Sequence, residues 1–276
     1  MTAKIQCLSD IKKRIEYRTR FQYYSFKNDI FHLTALSLSI IMSKFAACMG
    51  KIRYASFSEA GVRRDNEDYC KVVADSQNNR YLFVVCDGMG GHAMGEVASR
   101  VVCESICDYW QHASSECDVE NVLKSAFQEA SKALDAKADV LNHVEMGTTM
   151  VLAAIHGDKL TIAHCGDSRC YFLRPEIGVV YQTQDHVNHS VFGNFIDKSF
   201  FSYHSDKADV EIQQFDLQLG DRVFLCTDGV SSYTDPGILT ERLMDDKTPK
   251  ELLDVVAYLC ERSSEDNYTG ILVYNE

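Results

Sequence analysis

Polar and apolar positions alternate along this chain with two different periods. Three runs are apolar almost throughout, Tyr81–Cys86, Arg222–Thr227 and Tyr268–Tyr274, and read as strands buried in a core. Lys51–Phe57 and Tyr69–Ala74 also read as strands. Thr148–Ile155, Lys159–His164 and Ser168–Arg174 follow one another across the short turns His156-Gly157-Asp158 and Cys165-Gly166-Asp167. That is hairpin spacing, and it predicts antiparallel pairing. The second period is helical. Ala93–His112 carries Val97, Val101, Val102, Ile106 and Tyr109 near one stripe. Val119–Ala138 repeats the pattern with Val122, Leu123, Ala126, Phe127, Ala130, Ala133 and Leu134. Thr248 with Pro249 and Glu251 predicts a capped helix to about Arg262. Hairpins with segregated helices define an α+β layered domain.

The polar residues that bound these strands carry the candidate chemistry. Asp87-Gly88-Met89-Gly90-Gly91-His92 follows one buried run, Asp228-Gly229 follows another, and Asp266-Asn267 opens the third. A carboxylate at the mouth of a core strand is costly unless a cation or hydrogen-bond donors compensate it. Three such cases point to one shared oxygen-ligand metal site. Each also has a plainer reading: Asp87 as the cap of the helix after it, Asp228 as a turn residue, Asp266 as a strand cap. The segment Gly61-Val62-Arg63-Arg64-Asp65-Asn66-Glu67-Asp68 adds further carboxylates and a guanidinium suited to gripping phosphate. The alternative for Arg63 is a surface residue in a charged run.

With Gly147-Thr148-Thr149 and Gly166-Asp167-Ser168-Arg169 in between, six blocks stand in the order found in type 2C protein phosphatases, the metal-dependent serine/threonine phosphatases. The chain resembles the bacterial type of this family from about Ile52 to Val273. The resemblance implies a four-layer α-β-β-α sandwich of two mainly antiparallel sheets flanked by helices. It implies that Asp87 bridges two Mg2+ or Mn2+ ions, with the Gly88 carbonyl, Asp228 and Asp266 as further ligands and Glu67 acting through bound water. Asp167 matches a ligand of a weaker third ion, its alternative being the hairpin turn itself. Arg63 matches the phosphate-binding arginine, and Asp68 a support for the metal-water network. A bridging hydroxide would attack phosphoserine or phosphothreonine directly, with no phosphoenzyme. Oxygen donors without thiolate select a hard cation.

Met89 stands where many eukaryotic members carry a histidine proposed to protonate the leaving oxygen. His92 as general acid, His92 as a structural helix-entry residue, and proton donation by bound water all stay open. Between Asp185 and Gly220, Phe192, Phe195, Phe200, Phe201 and Tyr203 fit either a mobile substrate flap, as in the family, or an aromatic core segment.

Charge sharpens the partner. The chain carries −12 overall; residues 1–48 hold +5, which leaves −17 for residues 49–276. So acidic a body argues against nucleic acid and requires a local positive focus to hold a phosphorylated protein. A catalytically silent phosphoprotein-binding domain of the same fold is the competing function, and the full set of candidate carboxylates favours the enzyme. Eleven cysteines, an odd number without Cys-x-x-Cys, sit mostly in apolar runs and indicate a reducing, cytoplasmic compartment. Residues 1–48 differ in composition and are expected to be an extension outside the catalytic domain at 49–276. Their apolar stretch, Ile30–Ser43, has 14 residues, short of the ~20 that span a bilayer. No membrane association is expected, and a monomer is.

Overall fold

The computed structural model describes residues 51–89, 94–190 and 193–276. His92, Phe192 and the extension 1–48 therefore lie outside the described residues. Strands β1 (Ile52–Glu59), β2 (Asp68–Asp75) and β3 (Arg80–Asp87) lead to helices α1 (Gly95–His112) and α2 (Val119–Val140). Then come β4 (Gly147–Thr148), β5 (Met150–His156), β6 (Lys159–Cys165), β7 (Arg169–Arg174) and β8 (Gly178–Gln182). A hairpin of β9 (Val187–Ser190) and β10 (Gly193–Ile196) precedes β11 (Phe200–Phe201), β12 (Glu211–Asp216) and β13 (Arg222–Cys226). The chain closes with α3 (Asp228–Ser231), α4 (Pro236–Leu243), α5 (Pro249–Ser263) and β14 (Tyr268–Asn275).

Two five-stranded sheets form, in the orders β1-β14-β13-β7-β8 and β12-β6-β5-β3-β2. Every pairing in them is antiparallel. Their side chains sort by strand parity into three cores. On β3, Leu82, Val84 and Cys86 face α1 and α2. Tyr81, Phe83 and Val85 instead meet Phe172, Val223, Leu225, Ile271 and Val273 of the other sheet. Behind that second sheet, Tyr171, Phe224, Cys226 and Leu272 pack against Leu239, Leu252, Leu253 and Val256 of α4 and α5. The result is the four-layer α-β-β-α sandwich. The inner strands read as unbroken apolar runs because both of their faces are covered.

Several boundaries differ from the sequence expectation, each for a visible reason. The expected strand Thr148–Ile155 is interrupted at Thr149: its amide still donates to the Asp87 carbonyl (2.9 Å) in register with the β3–β5 ladder, but the Asp87 amide donates to the Thr149 side-chain Oγ1 (3.2 Å). Helix α1 starts at Gly95, not Ala93, from Met94 in a left-handed conformation (φ 70°). Its buried face is centred on Ala98, Val102, Ile106 and Trp110, while Tyr109 is 36% exposed. The small residues Ala98, Cys103 and Cys107 let the helix lie close to the sheet, turning the stripe by about one position from that of the larger side chains. Helix α5 begins as expected: Thr248 Oγ1 accepts from the Glu251 amide, and Glu251 Oε2 accepts from the Thr248 amide.

The aromatic segment divides between its two readings. Phe200 and Phe201 are buried, with Phe200 in the core beneath α1 and α2. Phe195 on β10 is 57% exposed. Among the described residues, no helix is long and apolar enough to cross a membrane, and nine cysteines are free.

Candidate active site

Strand parity also explains where the polar residues meet. On β2, Cys70 and Val72 face the space between the sheets, so Asp68 does too. On β3 the next residue of the same parity after Val85 is Asp87. Beyond β13 the next is Thr227, and on β14, before Ile271, it is Thr269. Asp68 and Asp87 are direct cross-strand partners. The apolar interface between the sheets therefore ends in a polar mouth, and Asp228 enters it from the first residue of α3.

The carboxylates gathered there repel one another and are desolvated together. Burial holds the Asp68 carboxyl up at about 7, against the hydrogen bond from Thr227 and with added repulsion from Asp228 and Asp266. Asp87 is pushed well above the usual carboxylate range by burial and then by Asp68, Asp228, Asp167 and Asp266. Burial and Asp228 raise Asp167 to about 7. Asp228 is raised by burial and Asp266, against a hydrogen bond from Asp87. Glu67 is raised by burial and by Glu96. Thr227 Oγ1 donates to Asp68 Oδ2 (2.9 Å), while the buried Oδ1 of Asp68 has no hydrogen-bond partner among the described residues. A set of oxygen donors with raised proton affinity and an orphaned carboxylate oxygen fits a hard divalent cation.

The backbone at these carboxylate positions is held from behind. The Asp87 amide donates to Thr149 Oγ1 (3.2 Å), and the Asp87 carbonyl accepts from Thr148 Oγ1 (2.7 Å). Gly88 donates to the Glu67 carbonyl (3.1 Å). A Cβ on Gly88 would lie 2.3 Å from the Gly95 carbonyl oxygen, so glycine is required here by the start of α1. A Cβ on Gly229 would come within 1.8 Å of the Asn267 carbonyl oxygen, which fixes α3 against the start of β14. The alternative of Asp87 as a helix cap is removed, since Met94 precedes α1 and no side chain caps it.

The loop 60–67 is fastened by Asn267. Its Nδ2 donates to the carbonyls of Ala60 (2.9 Å) and Asp65 (3.0 Å), and its Oδ1 accepts from the Glu67 amide (2.9 Å). This places Arg63 at the rim, half exposed, with Nη2 donating to Asp266 Oδ2 (3.0 Å) and Nε to the Glu265 carbonyl (3.0 Å). Asp266 is also a local cap, its Oδ1 accepting from the Asn267 amide (2.8 Å).

The structure thus brings Arg63, Glu67, Asp68, Asp87, Gly88, Asp167, Asp228 and Asp266 to one end of the sandwich. Thr149, Thr227, Thr269 and Asn267 were not singled out as functional by the sequence reading. Only their place next to the aspartate blocks signalled them. Asp68 is buried and stands directly opposite Asp87.

Fold and site together define a carboxylate-lined hydrolytic centre for hard cations. Residues 60–272 match the family described as Protein phosphatase 2C, and the chain belongs to that family. It is 29% identical over 231 residues to the serine/threonine phosphatase stp of Listeria monocytogenes, covering 77% of this chain and 91% of that one. It is 28% identical over 235 residues to the serine/threonine protein phosphatase PstP of Mycobacterium tuberculosis, covering 80% of this chain and 44% of PstP. The solved catalytic domain of PstP in complex with two manganese ions superposes with a TM-score of 0.68 at 28% identity, over 81% of this chain and 97% of that domain.

Proposed function

We propose that this protein hydrolyses phosphoserine and phosphothreonine in proteins, using two Mg2+ or Mn2+ ions held by Asp87, the Gly88 carbonyl, Asp228 and Asp266, with Glu67 engaged through water. Asp167 holds a weaker third ion. The observation that carries this reading is the shared mouth itself: clustered carboxylates with raised proton affinity and one orphaned oxygen, beside a half-exposed arginine. When bound, the ions supply an activated water and draw charge from the phosphoryl oxygens. The chain's own residues do the rest. Thr149, Thr227 and Asn267 fix the carboxylates and the loop, and the free Oδ1 of Asp68 accepts a hydrogen bond from water. Arg63 grips the substrate phosphate. His92 lies outside the described residues, and its assignment as general acid rests on its place in the sequence.

The partners are phosphoproteins made by a serine/threonine kinase. The −17 charge of residues 49–276 supports the exclusion of nucleic acid, and nine free cysteines support a cytoplasmic location. We take the protein as a monomer, with residues 1–48 outside the catalytic domain, as the family match beginning at residue 60 supports.

The test is phosphate release from a phosphothreonine peptide. Activity is expected with manganese or magnesium and is expected to vanish in excess chelator. Met49–Glu276 should match the full chain in kcat/KM to within about threefold, the span of ~0.6 kcal/mol. Turnover in chelator removes the metal reading; a loss beyond tenfold on truncation places the extension within the working domain.

Arg63→Ala should raise KM for phosphopeptide by about ten- to a hundredfold, as expected when a charge-assisted phosphate contact is lost. Melting temperature should be unchanged, because an exposed pair contributes little to stability. An unaltered KM reassigns the phosphate contact.

A further inference from the structure

One buried histidine touches the site from behind and has no part in the scheme above. His186 follows Asp185 in the segment after β8, and its side chain is only 8% exposed. It meets Gly166, the residue before Asp167, at two points. Its backbone amide donates to the Gly166 carbonyl (3.0 Å), and its Nδ1 accepts from the Gly166 amide (3.2 Å). Gly166 sits at φ 114°, and a Cβ there would lie 2.6 Å from Thr149 Cβ. Thr149 Oγ1 in turn accepts from the Asp87 amide and shares a hydrogen bond with Ser168 Oγ (2.7 Å). The turn that carries Asp167 is therefore pinned between Thr149, which belongs to the Asp87 side, and His186.

The surroundings of His186 set its tautomer. Because Nδ1 is an acceptor, the neutral ring carries its proton on Nε2. Nε2 lies 3.0 Å from Glu211 Oε1, within ion-pair distance though off the N–H axis. The ring stacks on His164 at 4.4 Å between centroids and 14° between planes. His164 is itself fixed by donation from Nε2 to the Gln184 carbonyl (2.9 Å). Glu211 stands opposite His164 in the β12–β6 ladder. His164, His186 and Glu211 bring possible ligand atoms within 4.8 Å of one another. A metal there is disfavoured, because the Gly166 amide occupies Nδ1 and the Lys198 ammonium already sits 3.4 Å from Glu211 Oε1.

The same residue reaches the hairpin. The His186 carbonyl accepts from the Asp197 amide (2.8 Å), just outside the first β9–β10 pair, Val187 with Ile196. Arg169, two residues past Asp167, holds Asp185 in a bidentate pair (2.8 and 2.7 Å). The Asp167 turn and the root of the hairpin are thus joined through one dipeptide.

We propose that His186 is a positioning residue: its Nδ1 latches the Gly166 amide, holds the Asp167 carboxylate toward the Asp87 cluster, and couples that turn to the root of the β9–β10 hairpin. The proposal rests on the reading of Asp167 as the ligand of the weaker ion. An asparagine at this position can place its Oδ1 where Nδ1 stands, whereas a glutamine reaches the place of Nε2. The two amides therefore separate the latch from mere filling of space.

The experiment uses the full chain and two readouts. In the metal-free protein, exchange of the Gly166 amide should quicken at least about fivefold in His186→Ala and His186→Gln, as expected for one lost hydrogen bond. It should stay near wild type in His186→Asn. In manganese titrations by calorimetry, the weakest site should lose about ten- to a hundredfold in affinity in His186→Ala and His186→Gln, the usual effect of losing a group that orients a ligand. His186→Asn should restore most of it. Unchanged Gly166 exchange in His186→Ala overturns the latch. So does faster exchange with unchanged manganese affinity, provided Asp167→Asn does weaken the weakest site. If Asp167→Asn leaves every manganese affinity intact, the ligand reading of Asp167 falls instead, and the metal half of the proposal falls with it. Should His186→Ala fail to fold, the contrast between His186→Asn and His186→Gln decides the same question.

Discussion

Asp228→Asn is expected to lose at least about a thousandfold in kcat while the protein stays folded. The loss corresponds to the several kcal/mol that a correctly held cation contributes to a phosphoryl transition state. Asparagine keeps the size of the side chain and one acceptor oxygen, so the one-turn helix that begins at residue 228 is not disturbed. What disappears is the charge that makes a dication favourable between this carboxylate and those of Asp87 and Asp266. In the metal-free protein the same change relieves repulsion, since Asp228 is raised by burial and by Asp266. Its melting temperature should therefore hold or rise, by about 2–4 °C per kcal/mol relieved in a domain of this size. A turn-only role predicts the reverse, with activity kept, because asparagine suits turns as well as aspartate does. Wild-type kcat together with wild-type manganese affinity would falsify the assignment.

The second large effect is on stability against pH. Unfolded aspartates titrate near 3.9. In the metal-free fold Asp68 and Asp167 titrate at about 7, and Asp87 lies well above its ordinary range. The folded state then binds more protons than the unfolded state above about pH 4. The stability these groups contribute is fully present below their unfolded pKa and is lost as pH rises through about 7. The metal-free protein should weaken by roughly 2–5 kcal/mol between pH 5 and pH 8, a fall of order 5–15 °C in melting temperature. With saturating manganese the trend should reverse, because the ions take the deprotonated carboxylates. Thermal melts in chelator and in manganese across this range check both signs. A metal-free melting temperature that is flat or climbs from pH 5 to pH 8 contradicts the description of the cluster.

Much of this site could be read before any fold was known, and strand parity explains why. Asp87, Asp228 and Asp266 adjoin apolar runs long enough to be recognised as core strands, so their place at strand mouths was visible in the sequence. The partners that make the mouth work were not. Thr227 lies 159 residues from the Asp68 oxygen to which it donates, and Thr269 reads simply as a β-branched strand residue. Asn267 stood out only as the neighbour of Asp266, yet it fastens a loop 200 residues away. The break at Thr149 was hidden for a related reason. The local sequence favours one continuous strand, and the break comes from the Thr149 hydroxyl, which takes the Asp87 amide. On helix α1 the expected stripe holds at Val102 and Ile106, with Val97 and Val101 packed at its edge; the small residues Ala98, Cys103 and Cys107, which a pattern of large side chains does not weigh, complete the buried face.

The reading of Gly88 also changes in kind. A Gly88 carbonyl bound to an ion, as the family resemblance implies, would itself favour glycine, because a side chain obstructs close approach of the backbone. The structure shows a steric demand from Gly95 and Glu67 that exists without any ion. Both demands coincide at one residue, so a substitution at Gly88 cannot distinguish them. The carboxylates can.

Anomalous diffraction from crystals grown with manganese measures directly where the ions sit. Two strong peaks are predicted on either side of the Asp87 carboxylate. One should be shared with Asp228 and Asp266, the other should lie against the Gly88 carbonyl and toward Glu67, and a weaker third peak should lie beside Asp167. Peaks absent from this mouth at a manganese concentration that supports turnover, or found only at the His164, His186 and Glu211 group, would contradict this placement.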